Sequence, residues 1–365
     1  MMEDKLEIKY DGKPCYNIVL EDDFGRLADF LNQTGKKYGR ICIVSDTNVA
    51  SLYIDDVRDA LYRCASLITQ FVFQAGEPSK NLNVVEDLYE HLIREHFDRK
   101  DLLVALGGGV VGDLTGFTAA TYLRGIDFIQ IPTSLLSMVD SSIGGKTGVD
   151  FRSFKNMVGA FYMPRLVYMN LSVLRSLPDE QFQSGMGEVI KHGLIADSAY
   201  LDFLIENRER IVSFDPESIF HVVKRSCEIK GAVVEEDPKE QGIRATLNFG
   251  HTIGHAVEKL SNFSLFHGQC VAIGSVAASY LSMKKGCISE DDYKKIRKVF
   301  SDYKLPTSVS ASSYNAADIL RTTKSDKKMQ AGKIKFILLE KIGKAVIDTS
   351  LDDEFILEGI NEILK

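Results

Sequence analysis

The sequence predicts an α/β N-terminal domain, built on a mostly parallel, Rossmann-like sheet, followed by a mainly α-helical C-terminal domain. Three observations carry this. At 365 residues the chain is too long for one ordinary core, so two domains are expected. Its first half alternates short apolar runs with amphipathic helical patterns, as a parallel sheet covered by helices requires. After Leu177-Pro178 the texture changes to long stretches with apolar residues three and four apart. The boundary therefore falls between residues 1–177 and 178–365.

In the first domain Ile41 to Asp46, Ile68 to Phe73, Asp101 to Gly109, Asp127 to Pro132 and Leu166 to Asn170 read as buried strands. They are apolar, rich in β-branched or aromatic residues, and end in turn or cap residues. Leu82 to Glu95 is a helical pattern between two of them. In the second domain Glu180 to Ala196, Ser218 to Val234, Gly250 to Leu260 and Val271 to Met283 read as helices, with Asp, Asn, Ser or Gly at their ends. One hairpin is expected within Lys335 to Ile347, where two apolar runs flank Lys341-Ile342-Gly343.

Hydrophobic residues make up 45% and charged residues 26%, the balance of a soluble globular protein. A net charge of −7 argues against nucleic acid or an anionic membrane as the main partner. Val271 to Leu281, the most apolar stretch, is too short to span a bilayer. The first ten residues hold no apolar signal core, so the cytoplasm is the expected compartment. Six scattered cysteines, with no CxxC pair, argue against a disulfide framework or a thiolate metal site.

Gly107 to Gly112 fits GxGxxG between a strand and a helix, where glycines admit a pyrophosphate and the helix N-terminus offers N–H groups to it. The acidic ribose partner normally ends the next strand. Here Asp127 begins that strand, so Asp46, ending an earlier one, is the better candidate. The loop is a dinucleotide site of non-standard strand order, or a tight turn with no ligand. Ser142 to Thr147 looks like the end of a P-loop, but Asp140 stands where its first glycine belongs and would repel phosphates, which excludes an NTPase. Lys146 remains a cation in a flexible loop.

His251 and His255 are spaced i, i+4 on one helix face, and His267 opens the next helix. A metalloprotease HExxH would need Glu where Thr252 stands. Upstream, Glu188 lies on a helix with Lys191 and His192. Two histidines and a carboxylate compose an open catalytic metal site, and spacing leaves the pairs His251/His255 and His251/His267 both available. Arg124, Lys146, Lys155, Lys191, Lys230, Arg244 and Lys328 sit beside glycines, asparagines or apolar runs, as a small anionic substrate would require.

Taken in order, GEPSKNL, GGGVVGDLTGFTAATYLRG, IPTSLLSMVDSSIGGKTGVD, KNMVGAFYMP, SGMGEVIKHGLI, LNFGHTIGHAVE and HGQCVAIG closely resemble the 3-dehydroquinate synthases, from about Gly76 to Lys328. The resemblance implies that residues 1–177 bind NAD and residues 178–365 bind metal and substrate. It implies zinc, with Co2+ as a substitute ion, on Glu188, His251 and His267, and moves His255 to the substrate side near the phosphate. It implies NAD contacts at Asp46, Asn48, Glu77, Lys80, Gly109, Val110, Val111, Gly112, Asp113, Thr133, Ser134, Val173 and Ser176, with Lys146 and Lys155 shared with the substrate. Ser134 replaces the family's threonine and keeps the hydroxyl.

Substrate carboxylate and phosphate would be read by Asn156, Lys230, Arg244, Asn248 and Lys328, while Asp140, Lys146 and Lys191 surround the reacting hydroxyls. Arg124 resembles an arginine offered by a neighbouring subunit, which implies a homodimer. The implied reaction converts 3-deoxy-D-arabino-heptulosonate 7-phosphate to 3-dehydroquinate and phosphate. It runs through transient oxidation by NAD, β-elimination of phosphate, return of hydride, ring opening and intramolecular aldol closure. Related cyclases making deoxy-inosose or valiolone tend to differ around His255; a metal-dependent polyol dehydrogenase would lack the phosphate and carboxylate cations.

Overall fold

The computed structural model describes residues 5–152, 154–262, 264–324, 329–330 and 333–365. The chain divides into two compact units, Met1–Leu177 and Pro178–Lys365. Among the described residues no helix is long and apolar enough to cross a membrane.

The first unit contains, in chain order, β1 (Lys5–Tyr10), β2 (Lys13–Glu21), α1 (Leu27–Gln33), β3 (Arg40–Asp46), α2 (Thr47–Leu61) and β4 (Leu67–Phe73). There follow α3 (Leu82–Arg94), β5 (Leu102–Gly107), α4 (Gly109–Thr121), β6 (Asp127–Pro132), β7 (Lys146–Phe151), β8 (Phe154–Phe161) and β9 (Leu166–Asn170). Seven strands form one sheet in the order β1-β2-β9-β6-β5-β3-β4, and all neighbours but β1 and β2 run parallel. Every residue of β5 and β9 is buried, as strands covered on both faces must be. The five strands expected from apolar runs are β3, β4, β5, β6 and β9. The other four were not legible: β1, KLEIKY, mixes polar and apolar residues at the sheet edge, and β7 and β8 form a separate half-wet hairpin.

The strand order fixes where a ligand fits. From β3 the chain crosses through α2 to β4 on one side; from β5 it crosses through α4 to β6 on the other. β3 and β5 are neighbours, so the direction of winding reverses between their C-terminal ends. That is the crevice in which open α/β sheets bind ligands. Asp46 ends β3 and Gly107 ends β5.

The second unit contains α5 (Asp179–Ala196), α6 (Ser198–Glu206), α7 (Arg208–Val212), α8 (Pro216–Glu236), α9 (His251–Leu260), α10 (His267–Lys284), α11 (Glu290–Asp302) and α12 (Ala316–Lys324). It closes with β10 (Met329–Gln330), β11 (Lys333–Ile334), the hairpin β12 (Phe336–Lys341) and β13 (Lys344–Asp348), and α13 (Asp353–Ile363). The expected hairpin is β12–β13. Helix α10 begins four residues before the apolar run that opens at Val271, and His267 is its first residue, as expected. It is central: α5, α9, α11 and α13 all pack on it. Small residues allow this. A Cβ on Gly274 would stand 1.9 Å from the Gly250 carbonyl oxygen, so α9 and α10 meet backbone to backbone only because nothing is there.

Candidate active site

In the first unit β5 delivers the chain into Gly108, which caps α4 without a side chain. The N–H groups of Gly109, Val110 and Val111 thus meet no capping side chain and suit an anion, while the Gly112 N–H donates to the Gly108 carbonyl at 3.0 Å. Thr133 donates its N–H to the Gly107 carbonyl at 3.0 Å, and a Cβ on Gly108 would meet Ser134 Oγ at 3.5 Å. Both therefore lie against the glycine loop. Asp46 Oδ1 accepts the N–H groups of Asn48 and Val49 at 2.9 and 3.0 Å, so one carboxylate oxygen is the N-cap of α2. Val173 is buried, and Ser176 donates to its carbonyl at 2.8 Å while bonding Tyr53 of α2.

Five expected residues come together around one buried ammonium. Lys80 Nζ donates to Asp113 Oδ2 and to Asn156 Oδ1, each at 2.6 Å. Burial works against this charge, but Asp113 and Glu77 raise the Lys80 pKa above the ordinary lysine value. Lys155 Nζ stands 3.7 Å from Glu77 Oε1. Asn156 takes φ +52°, a left-handed conformation that asparagine tolerates. Asp150, which sequence reasoning missed, ties the group down: its N–H donates to the Lys80 carbonyl and its Oδ1 accepts the Asn156 N–H, both at 2.8 Å. Asn156, which the resemblance assigns to the substrate, thus meets Lys80, which the resemblance assigns to NAD.

The remaining expected residues of this unit are dispersed. Asp140 lies in a π-helical turn, Ser137–Ser141, whose N-terminal side is pinned by the Ser134 and Ser137 hydroxyls, 2.9 Å apart. Lys146 is not in a flexible loop: it opens strand β7 and is exposed, because residues 146–151 pair with β8. Arg124 is also exposed, held with Leu123 in left-handed conformations of φ +67° and +50°. Lys328 lies outside the described residues.

In the second unit three helices converge. His251, His255 and His267 bring ring nitrogens within 4.8 Å of one another. Glu188 of α5 is completely buried, and its Oε1 lies 3.5 Å from His251 Nε2 and 3.6 Å from His267 Nε2. These gaps are wide for strong hydrogen bonds. They suit ligands of one ion: atoms about 2.0–2.1 Å from a tetrahedral centre stand roughly 3.3–3.4 Å apart. The other oxygen, Oε2, is held by Lys191 Nζ, which also donates to the Leu247 carbonyl at 2.7 Å. The nitrogens turned away are anchored too. His251 Nδ1 lies 3.1 Å from the Phe249 carbonyl, and His267 Nδ1 lies 3.3 Å from Glu258 Oε2. Burial disfavours a charged His267, yet Glu188 and Glu258 carry its pKa up to about 10, a measure of the negative field at this point. Nitrogen and oxygen donors in such a field fit a divalent metal ion.

Spacing left the second histidine open, and Glu188 Oε1 now faces His251 and His267. Glu258 was missed as a site residue, although it lies on the helix face of His251 and His255. Lys230 is buried on α8. Arg244, 2% exposed, donates Nη1 to the Pro238 carbonyl at 2.7 Å, and its N–H bonds Asp237 Oδ2 at 3.1 Å. Asp237 also accepts the N–H groups of Gln241 and Gly242, so one carboxylate shapes the turn that presents Arg244. Asn248 Nδ2 donates to Glu240 Oε1 at 2.9 Å.

Comparison with known proteins bears on the fold and the family. Solved structures of similar fold include 2-deoxy-scyllo-inosose synthase complexed with carbaglucose-6-phosphate, NAD+ and Co2+, with TM-score 0.85, 23% identity, and coverage of 99% of this chain and 100% of that one. The 2-epi-5-epi-valiolone synthase of Streptomyces hygroscopicus, with NAD+ and Zn2+ bound, has TM-score 0.87, 24% identity, and coverage of 98% and 99%. In sequence, the 3-dehydroquinate synthase of Acetivibrio thermocellus is 40% identical over 98% of both chains. That of Pelobacter propionicus is 43% identical over 85% of this chain and 86% of its own. Residues 70–184 match the family description 3-dehydroquinate synthase N-terminal, and residues 185–329 match 3-dehydroquinate synthase C-terminal. On both matches, and on that identity along nearly its whole length, the chain belongs to the 3-dehydroquinate synthase family.

Proposed function

We propose that this protein is a carbon–oxygen lyase that converts 3-deoxy-D-arabino-heptulosonate 7-phosphate to 3-dehydroquinate and phosphate, using NAD and one zinc ion. The observation that carries the reading is the buried Glu188 carboxylate facing two imidazole Nε2 atoms at 3.5 and 3.6 Å, in a chain of this family. When bound, NAD supplies a hydride acceptor that also returns the hydride, and zinc supplies a Lewis acid for the substrate's alcohol and ketone oxygens.

The chain's own residues do the rest. Glu188, His251 and His267 hold the ion. Asp46, Asn48, the first turn of α4, Thr133, Ser134, Val173 and Ser176 hold the nucleotide, with Lys80 keeping Asp113 and Asn156 in register. Lys191 orients Glu188 through Oε2, which leaves Oε1 for the metal. His255, near the two ligand histidines, is suited to bind the phosphate and carry its proton. Lys230, Arg244 and Asn248, with Asn156, Lys146, Lys155 and Lys328, bind the anionic ends of the substrate, and Asp140 orients its hydroxyls. Fixed cations in buried surroundings stabilise developing oxyanions better than water does. Arg124, on its exposed turn, serves the site of a second copy, so the working form is a homodimer. Neither nucleic acid nor membrane is a partner, and the enzyme works in the cytoplasm.

The test is release of inorganic phosphate from the heptulosonate phosphate, with and without chelator, while NADH absorbance is followed. Phosphate release that stops with chelator and accumulates no NADH is expected. Net NADH from simple polyols, with no phosphate released, would overturn the proposal.

A further inference from the structure

We infer that Glu258 is a positioning residue for the metal centre, acting through His267. Along α9, His251, His255 and Glu258 fall at i, i+4 and i+7, one face of the helix. Glu258 is only 5% exposed, and a carboxylate so buried needs a partner. Its Oε2 meets His267 at Nδ1, 3.3 Å away, while Glu188 Oε1 meets the same ring at Nε2, 3.6 Å away. The two carboxylates address opposite nitrogens of one imidazole. Glu258 is thereby excluded as a ligand of an ion held at Nε2, and is placed to fix the ring's tautomer and direction and to make Nε2 a stronger donor.

The two ligand histidines are supported differently. His251 leans on a backbone carbonyl, that of Phe249 at 3.1 Å, which no side-chain change can remove. His267 depends on a side chain from another helix. It is also the more exposed of the two, with 30% of its side chain accessible against 11% for His251. The sensitive support of the metal centre is therefore Glu258.

The inference rests on the reading that Glu188, His251 and His267 hold a divalent ion, and its test separates the two. The full-length protein, stripped of metal, is titrated with Zn2+ and Co2+ in competition with a chromophoric chelator, for the parent, Glu258→Gln and Glu258→Ala. One equivalent is expected in each, bound about 10–100-fold more weakly by both variants, with the parent's Co2+ visible spectrum preserved. Melting of the metal-stripped forms reports packing separately. Parent-like affinity in both variants would overturn the role of Glu258, as would a Co2+ spectrum showing a lost ligand. A variant whose weaker binding is fully accounted for by a destabilised stripped form would show that the residue merely packs. Failure of the parent to bind one equivalent would overturn the metal reading, and this inference with it.

Discussion

Gly268 of α10 lies against Ser184 of α5 so closely that a Cβ on the glycine would stand 1.8 Å from the Ser184 carbonyl oxygen. The Gly268 N–H also donates to Ser184 Oγ at 3.1 Å. His267 precedes this contact and Glu188 lies one turn beyond it on α5, so the approach of the two helices sets the gap between carboxylate and imidazole. Gly268→Ala must push α10 away, at a cost typical of overpacking, about 1–3 kcal/mol. A lower melting temperature and at least tenfold weaker Co2+ binding are expected. Retained metal affinity in calorimetry would show that the helix contact does not set the site.

This contact also explains what the sequence could and could not disclose. Strands β3, β5 and β9 were legible because burial on both faces makes them continuous apolar runs. β1 and β8 were not, because an edge or hairpin strand keeps half its side chains wet. The i, i+4 pair His251/His255 is local and visible. That Glu188 faces His251 and His267 is tertiary, set by glycine-mediated helix contacts, and needed the family resemblance to be singled out. Lys80 and Asp113, 33 positions apart, meet only because their two segments flank the sheet's switch point.

The histidines should separate by role. His267→Ala removes a donor 3.6 Å from Glu188 and should lose both metal and turnover. His255→Ala should keep one equivalent of zinc and lose turnover by 100-fold or more, in the range roughly expected for a proton-transfer group. Metal analysis by mass spectrometry checks this; full zinc in the His267 variant would refute the ligand set.

Gly109 opens α4, and a Cβ there would stand 3.1 Å from Ser141 Oγ. Gly109→Val brings a branched side chain into this space beside the first-turn N–H groups, where the pyrophosphate is expected. NAD affinity should fall at least tenfold while zinc binding stays. Titration calorimetry giving parent-like NAD affinity would assign the loop another purpose.

Asp127, at the start of β6, accepts hydrogen bonds from Lys36 Nζ at 2.5 Å, Arg165 Nε at 2.7 Å and Tyr38 Oη at 3.3 Å. Burial works to raise its carboxyl pKa, but Lys36 and Arg165 overcome this and hold it below the ordinary aspartate value. A depressed folded-state pKa gives stability that is full above the unfolded pKa, about 3.9, and lost as pH falls through the folded value. Both cations are nearly half exposed, so the discounted contribution is only about 1 kcal/mol. Asp127→Asn should therefore melt lower than the parent at pH 7, with the gap narrowing towards pH 3. A gap independent of pH would mean the carboxylate charge is not what holds β6.

Arg244 separates a cyclase from a dehydrogenase. Its guanidinium is almost fully buried, with Nη1 on the Pro238 carbonyl and a turn built by Asp237 beneath it. If it binds the substrate carboxylate, Arg244→Ala leaves that anion in a dry site without a partner, a deficit of about 3–5 kcal/mol by comparison with broken buried ion pairs. Arg244→Lys should recover little, since an ammonium cannot reproduce the planar two-pronged contact. In both variants turnover should fall by 100-fold or more, while titrations still show NAD and one metal ion bound. A dehydrogenase acting on uncharged polyols has no use for this arginine. Undiminished phosphate release from Arg244→Ala would remove it from the substrate site. Steady NADH formation from glycerol by parent and variant alike would set the cyclase reading aside.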